Sequence, residues 1–439
     1  MHFDRYASVV RNVDLVARTG RVVACQGNTI EAAGPSAFLG ELCQIYAGPG
    51  FQPIHAEVIG FRQSSVLLMP YGDTRGIRPG CEVLASGRSP SMPVGDQLLG
   101  RIVDGFGTPI DDKGPVDRNE AASLLARAPN PVQRSRIREV FETGVKMIDS
   151  CLTVGRGQRI GIFSGSGVGK STLMGMVARH SDADVNIIAL IGERGREVRD
   201  FIEEHLGSAL RKSVVIVATS DQPALARTRA AFGAVVLAEY FRDRGRSVAL
   251  MMDSLTRLSM AQREIGLAAG EPPTVRGYTP SAFSVLPALL ERIGCGTEGK
   301  GAITGFLTVL VEGDDLSEPV ADHARAILDG HIVLSRALAH QGRYPAIDLA
   351  QSISRVARQV SRSEEIRMAE ASMQVWDAYE NSKDMVDYGA YKPGINPELD
   401  RAIRVMPELK RFFAQSIDES IKRGETLRRL ATILGEPPK

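Results

Sequence analysis

Charge of either sign is nowhere in excess: 53 Lys and Arg face 52 Asp and Glu across 439 residues, a net charge of +1. No bulk field therefore drives this chain onto nucleic acid or an acidic membrane surface. Cysteine is scarce. Its five residues (Cys25, Cys43, Cys81, Cys151, Cys295) are scattered, odd in number and without a C-x-x-C pair. That pattern argues against a disulfide scaffold or a thiolate zinc site and fits reduced, buried thiols. The seven histidines show no H-E-x-x-H or similar ligand spacing. No run of about 18 apolar residues exists, so no membrane-spanning helix is expected. The opening "MHFDRYASVV" lacks the basic start and apolar core of a signal peptide, and the expected compartment is the cytosol. What remains is ordinary: 43% hydrophobic and 24% charged residues suit a soluble globular protein. The length allows two or three domains with a substantial core.

One short stretch departs from the ordinary. In "FSGSGVGKSTL" (163–173), Gly165, Gly167 and Gly169 fall within five residues, directly before a lysine and two hydroxyls. The preceding "RIGIF" (159–163) reads as a buried strand. In the following "STLMGMVARH", Leu173, Met174, Val177 and Ala178 share one helical face. The glycines thus occupy a strand-to-helix turn, where the missing Cβ atoms let backbone N–H groups converge on an anion. The helix N-terminus adds partial positive charge at the same point. Lys170 is placed to reach the β- and γ-phosphates of a nucleotide, and the Ser171 hydroxyl to bind Mg²⁺. The cradle runs Ser164, Gly165, Ser166, Gly167, Val168, Gly169, Lys170, Ser171, Thr172. It is a P-loop whose first position is a serine instead of the usual glycine, a substitution a small residue tolerates.

Three textures divide the chain. Residues 1–92 alternate short apolar runs with Gly, Asn, Asp and Pro, as a small β-barrel or sandwich does. Between Gly95 and Arg136 lies a connector of loops and turns ("DGFGTPIDDKGP", "RAPNP"), which opens the second region, 93–356. There, uniform apolar runs ("RIGIF", "VNIIALIG", "SVVIVATS", "SVALMMDS", "AITGFLTVLVE", "HIVLS") alternate with helical patterns. Uniform hydrophobicity marks strands buried on both faces, which implies an α/β core built on a mostly parallel sheet. Residues 357–439 read as a helical domain, and no repeat of solenoid period occurs.

A P-loop specifies a nucleotide and not an outcome. Hydrolysis also needs a carboxylate on the Mg²⁺ side, a group to orient water and positive charge for the transition state. "SVALMMDS" ends in Asp253, the position from which a strand-end carboxylate binds Mg²⁺; an ordinary helix N-cap is the bland alternative. Glu193 lies 23 residues past Lys170, at the end of "VNIIALIG", where a strand gives way to a helix. A carboxylate there can polarise an attacking water. Spacing alone leaves this even with a solvated first-turn glutamate.

Longer blocks carry more. "GRGQRIGIFSGSGVGKST", "LIGERGREVRDFIEEHLG", "EYFRDRGRSVALMMDSLTRLSMAQREIGLAAGEPPTVRGYTPSAF", "VLVEGDD" and "LDGHIVLSRALAHQGRYPAID" resemble the flagellar and type III secretion export ATPases, relatives of the catalytic subunit of rotary ATP synthases. The resemblance spans nearly the whole chain and is densest from Thr143 to Arg355. It implies a RecA-like ATPase core between an N-terminal small β-barrel and a C-terminal helical domain, with ATP and Mg²⁺ as ligands. It makes Glu193 the catalytic glutamate, which the non-catalytic rotary subunits lack. Arg194 and Arg257 become arginines lining the phosphate side, Tyr344 the ring stacked on adenine, and Arg355 in "SISRV" an arginine finger offered to a neighbouring subunit. A finger acting in trans implies a homohexameric ring with each site between two protomers. The Ser164 departure is shared with export-type members.

The resemblance also implies partners. The N-terminal segment, with Tyr6, Val9, Val10, Val13 and Val16 near one helical face among Arg5, Arg11 and Arg18, would dock a regulator or stator that links the ATPase to the export gate. A self-packed terminal helix is the equal alternative. The C-terminal domain would meet chaperone–substrate complexes and the central stalk, with the ring peripheral at the cytoplasmic membrane. "GNTIEAAGPSAFLGELCQI" and "DMVDYGAYKPGINPELDRAI" look more flagellar than injectisome-like. A hexameric RNA translocase shares such a core, but its barrel needs stacking aromatics interleaved with basic residues. Residues 20–90 hold Phe38, Tyr46, Phe51, Phe61 and Tyr71 without a basic cluster around them, so no nucleic-acid partner is expected. A vacuolar-type catalytic subunit would carry a larger insertion, and "GERGREVRDF" fits the export branch better than a synthase.

Overall fold

The computed structural model describes residues 17–435 apart from Glu312 and Asp314. Arg5, Tyr6, Val9, Val10, Arg11, Val13 and Val16 of the segment expected to dock a regulator therefore lie outside the described residues, whereas Arg18 opens the first strand.

Six short strands close into a barrel in the order β1-β2-β5-β4-β3-β6: β1 (Arg18–Gln26), β2 (Thr29–Ala33), β3 (Leu42–Tyr46), β4 (Ile54–Arg62), β5 (Ser65–Pro70) and β6 (Glu82–Ala85). Alternate residues such as Ile30, Ala32, Cys43, Ile45 and Val83 fill the interior. Register breaks between Val22 and Ala24 and between Val58 and Gly60 bend β1 and β4, which lets so small a sheet curl shut.

The connector contributes more than loops. It supplies β8 (Ile102–Val103) and β9 (Ala121–Ser123), the latter paired with β7 (Ser91–Pro93), which lies just before the connector. A second small pair, β10 (Val140–Phe141) with β11 (Val154–Gly155), precedes the core. The core strands are β12 (Arg159–Ser164), β13 (Val185–Ile191), β14 (Ser213–Ala218), β15 (Ser247–Asp253), β16 (Ala302–Leu310), β17 (Gly330–Leu334) and β18 (Ile347–Ser354). With β8 they form one eight-stranded sheet, ordered β18-β17-β12-β16-β15-β13-β14-β8 and parallel except for β18. Every residue of β13, β14 and β15 is buried. Ile188 and Leu190 face one apolar layer with the Lys170–His180 helix; Ile187, Ala189 and Ile191 face the other with the Ala224–Asp243 helix.

β8 and β18 were not among the expected strands. β8 has two residues, too few for a pattern, and β18 alternates buried and exposed positions because it lies at an edge. A buried ion pair ties the barrel to the sheet domain. Arg229 Nε donates to Glu57 Oε2 at 2.8 Å, and Tyr71 Oη donates to the same carboxylate. On the other side, the helices Ser363–Asn381, Pro397–Phe413 and Arg423–Leu434 pack together. Arg423 clasps Glu365 through bonds of 3.1 and 2.8 Å, which holds that carboxyl down at about 2 against the opposing effect of burial.

Candidate nucleotide site

All the parallel strands end on one edge of the sheet, and that edge is where the chemistry-bearing residues gather. β12 ends at Ser164, and the loop after it reaches the Lys170–His180 helix through Gly167 (φ 77°) and Gly169 (φ 94°). These left-handed conformations are strained for any residue with a Cβ. A Cβ on Gly167 would meet no protein atom within 4 Å, so the loop borders open space of the kind a phosphate needs. The Ser164 Oγ is buried in the strand end without a hydrogen-bond partner. Val168 is buried beneath the loop, while Lys170, Ser171 and Thr172 form the first helical turn.

Three strand ends meet around the lysine. Lys170 Nζ donates to Asp253 Oδ1 at 2.6 Å, and Thr308 Oγ1, on the intervening strand β16, donates to the same oxygen at 2.8 Å. Glu193 Oε1 stands 3.7 Å from the same ammonium and is buried without a hydrogen-bond partner. Glu193 as a whole is only 9% exposed. Burial and the neighbouring Asp253 charge push it up to about 7, against the opposing pull of Lys170 and Arg257. The carboxyl is thus held well above the ordinary carboxylate range, the direction that makes it a stronger proton acceptor from water.

The remaining candidates divide. The Arg257 stem packs on Gly192, where an added Cβ would lie 3.1 Å from Arg257 Cβ, beside Glu193. The Tyr344 ring lies over the phosphate loop, 3.7 Å from where a Gly169 Cβ would stand, and is 46% exposed. Arg194 is the N-cap of the Gly195–Asp200 helix, and its guanidinium is out in solvent, 3.3 Å from Glu197. Arg355 is elsewhere. Antiparallel β18 carries it to the opposite edge of the sheet, where it donates to the carbonyls of Leu328 and Arg325, each at 3.3 Å. Thr308 escaped sequence reading; its only signal was a hydroxyl inside the apolar run "AITGFLTVLVE".

A glycine loop on a parallel-sheet edge, its lysine shared by two strand-end carboxylates, defines the class as a P-loop ATPase. Residues 22–87 match the ATP synthase alpha/beta family, beta-barrel domain, and residues 144–354 its nucleotide-binding domain. Residues 361–432 match the T3SS EscN ATPase C-terminal domain. The chain is 51% identical over 428 residues to the flagellum-specific ATP synthase of Bacillus subtilis, covering 97% of each chain. It is 47% identical over 421 residues to the type 3 secretion system ATPase of Sinorhizobium fredii, covering 96% of this chain and 93% of that one. It also superposes on the assembled ATPase EscN of the enteropathogenic E. coli type III secretion system with a TM-score of 0.89, at 42% identity, over 94% of this chain and 100% of that one. The chain belongs to the family of flagellar and type III secretion ATPases.

Proposed function

We propose that this chain hydrolyses Mg-ATP to drive flagellar type III export, releasing chaperones from their substrates and unfolding those substrates at the base of the apparatus. The observation that carries the hydrolytic half is the meeting of Lys170, Asp253 and Glu193 beside an open glycine cradle. Ser164 to Thr172 hold the triphosphate, with Lys170 on its β- and γ-phosphates. Ser171 and Asp253 offer hard oxygen donors of the type Mg²⁺ prefers. Among the described residues no group of three His, Cys, Asp or Glu could hold a metal. Its other ligands would therefore be phosphates and waters, as is usual for Mg²⁺. The ion supplies charge neutralisation on the phosphates. Glu193 accepts the proton of the attacking water, Arg194 and Arg257 line the phosphate side, and Tyr344 stacks on adenine.

Arg355 completes the site of the next protomer in a homohexamer. Its place at the sheet edge opposite its own P-loop supports a role in trans, because it cannot reach its own nucleotide. The division into 1–92, 93–356 and 357–439 then assigns barrel, catalysis and partner contact in that order. The stalk docks on the last; a solved relative is EscN in complex with its central stalk EscO. The regulator, the export gate and peripheral attachment to the cytoplasmic membrane belong to the same reading. No helix among the described residues is long and apolar enough to cross a membrane. The flagellar branch is favoured by relatives at 51% and 50% identity, both flagellum-specific, against 47% for a secretion ATPase.

The test is ATPase rate per protomer against protein concentration. Wild type should rise steeply as rings form, and Arg355→Ala should lose about 10³-fold or more at ring-forming concentrations. Equal, concentration-independent rates in both would remove the finger and the ring together.

A further inference from the structure

Between the Pro397–Phe413 and Arg423–Leu434 helices the chain crosses back to the nucleotide site as a strap, residues 414–419. Gln415 sits in it, 6% exposed, with its amide fully used. Oε1 accepts from Lys146 N at 2.9 Å, and Nε2 donates to Gly144 O at 2.7 Å and Glu419 O at 3.0 Å. The backbone N–H of the same residue donates to the Tyr344 carbonyl at 3.0 Å. Further along, the Ile417 carbonyl meets His180 Nε2 at 2.7 Å, and Asp418 pairs with Arg179 at 2.6 Å. Both partners lie in the last turn of the helix that Lys170 begins.

A half-exposed ring is not fixed by its own burial. Tyr344 must be aimed through its main chain, and the bond on its carbonyl comes from Gln415. We propose that Gln415 is the positioning residue of the adenine subsite: its side chain staples the strap to Gly144 and Lys146, and its N–H then holds Tyr344 over the phosphate loop. This rests on the reading of Tyr344 as the adenine-stacking ring. The helical domain thereby becomes a part of the nucleotide site, although it contributes no atom to the phosphate cradle.

The experiment titrates ATP and inorganic tripolyphosphate, which occupies the loop but has no base, against wild type, Gln415→Ala, Tyr344→Ala and the double variant. Tyr344→Ala should weaken ATP about fivefold to a hundredfold, the range of base–aromatic stacking. Gln415→Ala should raise the Kd and KM for ATP about threefold to tenfold, a part of that stacking range. Tripolyphosphate affinity and kcat at saturating ATP should hold near wild type, and the double variant should lose little beyond Tyr344→Ala alone. Equal weakening of both ligands by Gln415→Ala would mean general loosening and overturn the proposal. No effect of Gln415→Ala while Tyr344→Ala weakens ATP would overturn it and leave the ring's role standing. No effect of Tyr344→Ala would remove the ring's role first. Should Gln415→Ala fail to fold, Gln415→Asn keeps the amide but is one methylene too short to hold Gly144, Lys146 and Glu419 at once, and so loosens the same staple. It must lower the preference for ATP over tripolyphosphate, and an unchanged preference would overturn the proposal.

Discussion

Replacing Glu193 with glutamine should make the protein inactive and, above neutral pH, more stable. The carboxyl is pushed from an ordinary 4.5 up to about 7, first by burial and then by the Asp253 charge. Below pH 4.5 the group is protonated in both the folded and the unfolded chain, and the amide changes little. Between pH 4.5 and 7 the unfolded chain ionises this group while the folded protein, where it is desolvated beside a second carboxylate, keeps its proton, and stability is lost over that interval. Each pH unit of that interval corresponds to about 1.4 kcal/mol. The whole interval is worth about 3 kcal/mol, which water at the open side of the site screens to about 1–2 kcal/mol. For a domain of this size that is a Tm higher by roughly 2–8 °C for Glu193→Gln at pH 8, with no gain at pH 4.5. Thermal unfolding at both pH values measures it directly. On the same samples turnover should fall by about 10²–10⁴ if the carboxylate takes the water's proton, while ATP still binds. In the wild type, kcat/KM should decline as pH falls through about 7. Terminal phosphates titrate near pH 6 themselves, so the profile is repeated with Glu197→Ala. Glu197 raises the Glu193 pKa, so only an enzyme-borne limb moves down in that variant. Equal Tm gain at both pH values, or loss of ATP binding by Glu193→Gln, would refute the reasoning.

Two further substitutions test other parts of the same edge. Lys170→Ala should lower turnover by at least about 10²–10³ through loss of phosphate contact, measured by steady-state hydrolysis. Because Lys170 pulls the Glu193 pKa down, its removal should also move any residual pH limb upward. Gly175→Ala should destabilise by about 1–3 kcal/mol in denaturant unfolding, since overpacking here cannot be relieved by rotating a side chain. The new methyl would lie 2.8 Å from both the Cβ and the carbonyl oxygen of His205, on the segment that follows the Glu193 strand. An unchanged midpoint would mean that this segment yields freely.

What could be read from the sequence was local. The phosphate loop announces itself because two of its residues need φ near 77° and 94°, which glycine adopts freely. β13 and β15 announce themselves because burial on both faces leaves an unbroken apolar run after Asn186 in the one and between Ser247 and Asp253 in the other. Features that depend on distant partners left no such mark. β18 takes its alternating pattern from lying at an edge, and Gln415 looks like any loop glutamine until it meets Lys146 across 269 residues. Arg355 is the instructive case. Composition and spacing say nothing of it, resemblance assigns it a finger, and the antiparallel return of β18 then takes it away from its own P-loop. The charge at the site gives that displacement a purpose. Lys170 is already shared between Asp253 and Glu193, so an incoming triphosphate meets a cation that two carboxylates have partly spent. Beyond Arg194 and Arg257 on the phosphate side, the proposed mechanism draws charge for the transition state from Mg²⁺ and from Arg355 of a neighbouring protomer. A single protomer built this way should bind nucleotide and turn it over slowly, and assembly would then act as the switch for hydrolysis.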